Sequence, residues 1–129
     1  MSTPATISIL LDHNRASTIN VRWDGYPEGV GTVLLESYNT EEQVKDLIAQ
    51  GEVSSLDHTL TGSDFALEPT ESETYDVDNL ADLEEYNYLW ANDEWLVAVN
   101  GLWYKLPYYI EADVGVLTHY LADKDPDLA

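Results

Sequence analysis

The chain contains no cysteine, which excludes disulfides, thiolate metal centres and cysteine nucleophiles together. Basic residues are almost as scarce, five Lys plus Arg against 25 Asp plus Glu. A surface so poor in cations has little with which to neutralise phosphates, so direct nucleic-acid binding is not expected. No apolar run reaches eighteen residues, so no transmembrane helix and no membrane partner are expected. Residues 1–5 have neither the basic nor the apolar segment of a secretory signal, and a cytoplasmic location, inside a host cell, is the expectation. No Gly/Ser linker and no internal repeat divides the 129 residues, which predicts a single domain over 1–129.

What is present is equally defined. Hydrophobic residues make up 44% of the chain, with four Trp and nine Tyr. That is enough apolar area for a folded core, unlike the composition of a disordered acidic tail. The formal net charge is −20, beyond the magnitude of about 2–8 that suffices for solubility of a small domain. Self-repulsion on that scale opposes compactness. Duplex DNA carries one charge per ~1.7 Å, so twenty charges correspond to roughly 34 Å of duplex. A compact chain of this length is about 36 Å across. The protein therefore holds about the charge of a duplex segment of its own length.

Alternation predicts a strand at Ile7, Ile9 and Leu11 and another at Ile19, Val21 and Trp23, with residues 13–15 as a hairpin connection. Three Gly and one Pro within residues 24–31 predict a structured loop. Residues 32–38 suit a short helix or a strand, with helix favoured. Thr40 with Gln43 fits a capping box, Val44, Leu47 and Ile48 form one stripe, and Gly51 is placed to end that helix. A long acidic loop is predicted near 52–77, followed by a short helix capped by Asp78 or Asn79 and reaching Leu80, Leu83 and Glu84. Residues 86–91, 95–99 and 102–106 read as a meander joined at Asn92-Asp93 and at Asn100-Gly101. Ile110, Val114, Leu117 and Leu121 predict a C-terminal helix, and residues 123–129 a frayed tail. The predicted class is α+β, an antiparallel sheet of about five strands with two or three helices packed on it.

The block Val21-Arg22-Trp23-Asp24-Gly25-Tyr26-Pro27-Glu28-Gly29-Val30-Gly31, with Leu34-Leu35-Glu36, Tyr38-Asn39, Val44, Leu47-Ile48, Gly51 and Ser54-Ser55-Leu56, carries a resemblance. It resembles a widespread family of small accessory proteins of phages, prophages and plasmids. Glu85-Tyr86-Asn87-Tyr88-Leu89-Trp90 and Glu94-Trp95 are similar to a second aromatic block of that family. Arg22 and Ser37 stand where typical members would carry His. The resemblance implies a mobile-element origin, and by analogy an inhibitor of host defence such as a CRISPR effector or a restriction enzyme.

Between Lys45 and Lys105 there is no Lys or Arg, while fourteen Asp or Glu lie in that interval. The candidate partner-binding acids are Asp64, Glu68, Glu71, Glu73, Asp76, Asp78, Asp82, Glu84, Glu85, Asp93 and Glu94. Tyr75, Tyr86, Tyr88, Tyr108 and Tyr109 are candidate aromatic anchors, since so many rings exceed what one small core holds. The glycines of residues 24–31 lack the pattern of a dinucleotide or phosphate loop, and turn geometry accounts for them. Asp76 and Asp78 begin like a calcium loop, but its glycine and distal Glu are missing. His13, His58 and His119 have no ligand spacing. No metal, no cofactor and no enzymatic activity are expected. The functional expectation is an acidic DNA mimic that binds the basic groove of a nucleic-acid-binding protein or nucleoprotein complex of host defence. A homodimer stays open. The alternative is an accessory protein whose charge serves solubility or a high-salt cell.

Overall fold

The computed structural model describes residues 3–66 and 70–111. Glu68, the predicted helix beyond residue 111, His119 and the predicted tail lie outside the described residues. Strands β1 (Ala5–Leu10) and β2 (Arg15–Val21) form the expected hairpin, with Ile7 opposite Ile19. Asp12 holds the connection, its Oδ1 accepting the backbone N–H of Asn14 and Arg15 at 3.1 Å each.

From β2 the chain enters a π-helical turn over Pro27–Gly31 that runs directly into α1 (Thr32–Ser37). Gly25 makes this possible. A Cβ there would lie 2.5 Å from the Thr3 carbonyl oxygen and 2.6 Å from the Ala5 Cβ. Helix α2 (Glu41–Ala49) follows, with Thr40 Oγ1 accepting the Gln43 N–H at 3.2 Å and Gln43 Oε1 accepting the Asn39 N–H at 3.0 Å. Gly51, at φ +82°, turns the chain out of the helix.

The segment predicted as a long loop instead contains three short strands, β3 (Val53–Ser55), β4 (Asp64–Phe65) and β5 (Glu73–Asp76). Then α3 (Val77–Leu80) begins and ends earlier than predicted, with Asp76 and not Asp78 or Asn79 at its N-cap. The meander is as expected: β6 (Tyr86–Ala91), β7 (Glu94–Val99) and β8 (Leu102–Lys105). Both of its turns have two central residues at positive φ, Asn92-Asp93 and Asn100-Gly101, the geometry that matches strand twist. Helix α4 (Leu106–Glu111) follows directly.

The class is α+β, but the sheet is mixed and has eight strands among the described residues, in the order β4-β3-β2-β1-β6-β7-β8, with β5 also on β2. This corrects the antiparallel five-stranded expectation. The pairs β1/β6 and β2/β3 are parallel, because in each case the chain crosses a layer before returning. β5 lies along Arg15–Thr18 while β3 meets Val21, so the two share one edge of β2.

One sheet face, with Ile7, Ile9, Ile19, Tyr88, Trp90 and Val97, packs against Leu34, Val44, Leu47 and Ile48 of the helices. Two hydrogen bonds tie the layers: Trp95 Nε1 to the Tyr38 carbonyl at 2.7 Å, and Tyr88 Oη to the Gly25 carbonyl at 2.6 Å. The opposite face holds a smaller cluster of Ala16, Leu80, Leu89, Ala91 and Leu96. Beside it runs a buried polar strip. Thr6 and Asn87 are hydrogen-bonded, as are Ser8 and Thr18.

Burial also sets a response to alkali. The Tyr88 phenol is pushed far above its ordinary value of 10.0, by burial first and nearby negative charge second. Burial raises Tyr38, Tyr86 and Tyr109 as well. A phenol that stays neutral in the fold but ionises in the unfolded chain contributes stability that is complete below pH 10 and lost as pH rises beyond it. Stability is expected to fall by about 1.4 kcal/mol per pH unit for Tyr88 alone above pH 10. Urea midpoints at pH 8, 10 and 11, with phenolate absorbance at 295 nm, check this. A midpoint unchanged at pH 11 refutes it.

Candidate acidic interface

The second sheet face carries one group of carboxylates, and Asn87 explains how part of it is placed. This side chain is 1% exposed and uses both ends fully. Its Oδ1 accepts from Thr6 Oγ1 at 2.8 Å and from the Glu84 N–H at 3.1 Å. Its Nδ2 donates to the carbonyls of Ala81 and Glu84, at 3.2 and 2.8 Å. Leu80, 1% exposed, anchors the start of the same segment. Residues 77–84 are thereby fastened over the sheet, and Asp78, Asp82 and Glu84 are exposed on a fixed backbone.

Next to this cover the surface is a set of adjoining depressions that share Glu52. The first is lined by Thr18, Asn20, Glu52, Glu71, Glu73 and Tyr75. The second runs between Pro4, Asn20, Trp23, Glu52 and Glu84. In the third, Glu52 stands with Arg22, Ser54, Asp64 and Phe65. Register places Glu73 opposite Thr18 and Tyr75 opposite Ala16, so both project on the second face, and Tyr75 Oη donates to Glu73 Oε2 at 2.7 Å. That bond, ahead of burial, raises the Tyr75 phenol.

One cation stands inside this surface: Arg22 lines two of the three depressions and pairs with Glu52 at 3.3 Å. Each of the four described cations contacts a carboxylate: Arg15 with Asp12, Arg22 with Glu52, Lys45 with Glu41 and Lys105 with Glu94. The Asp12 carboxyl is held below its ordinary value, chiefly by the Asn14 N–H and also by Arg15. Among the described residues no group of three or more His, Asp or Glu is placed to hold a metal ion. His58 Nδ1 lies 2.6 Å from Ser37 Oγ on the exposed surface. No described helix is long and apolar enough to cross a membrane.

Asp64, Glu71, Glu73 and Glu84 thus meet around Glu52, a residue absent from the sequence-based candidates. Its signal was its place directly after the helix-ending Gly51. Asp82 lies with Glu84 on the fastened segment, beside Gly101. Asp76 stands opposite Arg15 in the sheet register, at the far end of β5 from Glu71. Asp93 does not join: with Asp12 and Glu41 it lines a depression at the opposite end of β1 and β6. Glu94 is half-buried and bonded to Lys105 at 3.3 Å, so it is no open phosphate surrogate.

The aromatic candidates divide sharply. Tyr88 is fully buried, 0% exposed, with its hydroxyl committed to Gly25; it is a core residue and not an anchor. Tyr75, Tyr86 and Tyr109 are half-buried, and only Tyr108 of the five is well exposed. Trp23, 48% exposed, and Tyr26, 38%, were missed. Alternation puts Trp23 in register with the buried Ile19 and Val21, but β2 ends at Val21 opposite Ala5, the first residue of β1, so β1 does not extend beneath the indole. No protein-family model, no curated protein and no solved structure matches this chain.

Proposed function

We propose that the protein is a mobile-element inhibitor of host defence, an acidic mimic of duplex DNA that occupies the basic nucleic-acid groove of a CRISPR effector or a restriction enzyme. The observation that carries this reading is the set of adjoining acidic depressions that share Glu52, with Glu84 held over the sheet by Asn87. A groove built for duplex DNA presents Lys and Arg at fixed positions. Carboxylates on a fixed backbone meet such a groove without first being ordered, which lowers the entropic cost of binding. Charges on mobile loops would lack that advantage. The reading needs no reaction and no cofactor.

The test is competition. A CRISPR effector nuclease and a restriction enzyme are each loaded with labelled duplex and titrated with the protein at 50 and 200 mM salt. Displacement of duplex by the protein is expected, with affinity falling at least about tenfold between the two salts. The fall is smaller than for DNA itself, whose denser charge holds more condensed counterions. Inhibition indifferent to both salt and duplex concentration rejects mimicry.

A further inference from the structure

We infer that the groove beside Trp23 is a receptor for an arginine side chain presented by the protein partner, an inference that rests on reading the acidic face as a protein-binding surface. The groove has a volume of about 390 Å³ and combines two kinds of wall. Pro4 and Trp23 supply apolar surface, Glu84 supplies an exposed negative charge, and Glu52 is paired with Arg22, which also lines the groove. An apolar wall alone selects any hydrophobe, and an open carboxylate alone selects any cation. Together they fit a group that is planar, cationic and weakly hydrated, which is the guanidinium.

Trp23 is also unusually well mounted for an exposed ring. Its N–H donates to the Ser54 carbonyl at 3.1 Å, that of Arg22 to the Val53 carbonyl at 3.1 Å, and that of Gly25 to the Thr3 carbonyl at 2.9 Å. The backbone on both sides is therefore fixed while 48% of the residue stays in solvent. A ring held in this way loses little entropy when a partner stacks on it. The chain supplies an internal precedent for the polar half of the contact: the Arg22 guanidinium sits 3.3 Å from Glu52 Oε2 at this groove.

Other occupants fit less well. A nucleobase would stack on the indole, but Glu84 repels its phosphates. A second copy of the chain brings a net charge of −20 against −20. Lysine carries the charge but is compact and strongly hydrated, and it cannot stack as a plane while forking onto a carboxylate. The groove therefore adds something that phosphate surrogates do not provide, a preference for arginine over lysine at one position of the partner.

The experiment uses the intact chain with the indole N–H of Trp23 followed by NMR and assigned through Trp23→Phe. The probes are N-acetylarginine methylamide and its lysine counterpart, titrated at constant ionic strength. Arginine is expected to shift the Trp23 signal while leaving those of the buried Trp90 and Trp95 in place. The lysine probe is expected to bind about threefold more weakly, the worth of one exposed cation–π contact. Glu84→Gln is expected to weaken arginine by a similar factor, as is loss of one exposed ion pair. An unmoved Trp23 signal, or equal response to both probes, overturns the inference. The two proposals fail separately. Duplex competition with a silent Trp23 removes the arginine receptor and leaves mimicry, whereas arginine binding without duplex competition does the reverse.

Discussion

Replacing Trp95 with alanine is expected to leave little folded protein at 25 °C in dilute buffer. The side chain is 2% exposed, packs edge-on against Trp90 with ring centroids 5.4 Å apart, and donates its indole N–H to the Tyr38 carbonyl at 2.7 Å. Truncating a buried Trp costs about 3–5 kcal/mol. Leaving a carbonyl unpaired at the exit of α1 adds about 1–3 kcal/mol. The whole fold of a domain this size is stable by about 5–15 kcal/mol, and here like-charge repulsion pushes towards the lower end. Trp95→Phe separates the terms: it keeps a ring against Trp90 and loses only the donor and part of the volume, so it is expected to cost about 1–3 kcal/mol. Urea unfolding followed by circular dichroism reads both variants. Added salt is expected to recover part of the loss by screening the charge. A Trp95→Ala protein destabilised by less than about 2 kcal/mol would mean that this side chain does not bridge sheet and helices as described.

The elements read correctly from sequence are those whose determinants are local. Helix α2 was legible because Thr40, Gln43 and Gly51 each meet a backbone need within a few residues. The meander was legible because Asn92-Asp93 and Asn100-Gly101 tolerate positive φ between strongly apolar runs. Strands β3 to β5 were not, because nothing local makes Val53–Ser55 or Glu73–Asp76 extended. β3 and β5 become strands by pairing with the edge of β2 and β4 by pairing with β3, and there Ser, Thr and Glu can stay wet. The parallel neighbours β1 and β6 were hidden for a related reason: their register depends on contacts about eighty residues apart in sequence.

The candidate site shows the same divide. That the interval between Lys45 and Lys105 is acidic could be counted; that Glu52, Asp64, Glu71, Glu73 and Glu84 converge could not. Convergence depends on Asn87, one polar residue in an aromatic strand, reaching back to Ala81 and Glu84. It depends equally on β5 docking beside Thr18. Asp93 belongs to the same count yet lies at the other end of the sheet, since a hairpin turn carries it there.

Neutralising that convergence is expected to separate binding from folding. In the variant Asp64→Asn/Glu71→Gln/Glu73→Gln/Glu84→Gln each replacement keeps shape, sits at an exposed position and leaves the four ion pairs intact. Glu73→Gln keeps an oxygen to accept from Tyr75. Removing like charges eases self-repulsion, so the urea midpoint is expected to hold or rise. Affinity for the duplex-binding partner is expected to fall about a hundredfold, from roughly 0.7 kcal/mol lost at each of four pairs. Its dependence on salt should flatten in step. The control removes as many charges from the helical side, in Glu36→Gln/Glu42→Gln/Asp46→Asn/Asp57→Asn, also at exposed positions. A groove shaped for duplex reads position, so the control should retain affinity within about threefold. Equal losses in the two variants would mean that the partner senses only total charge, and a surface arranged to imitate a duplex would have no part in binding.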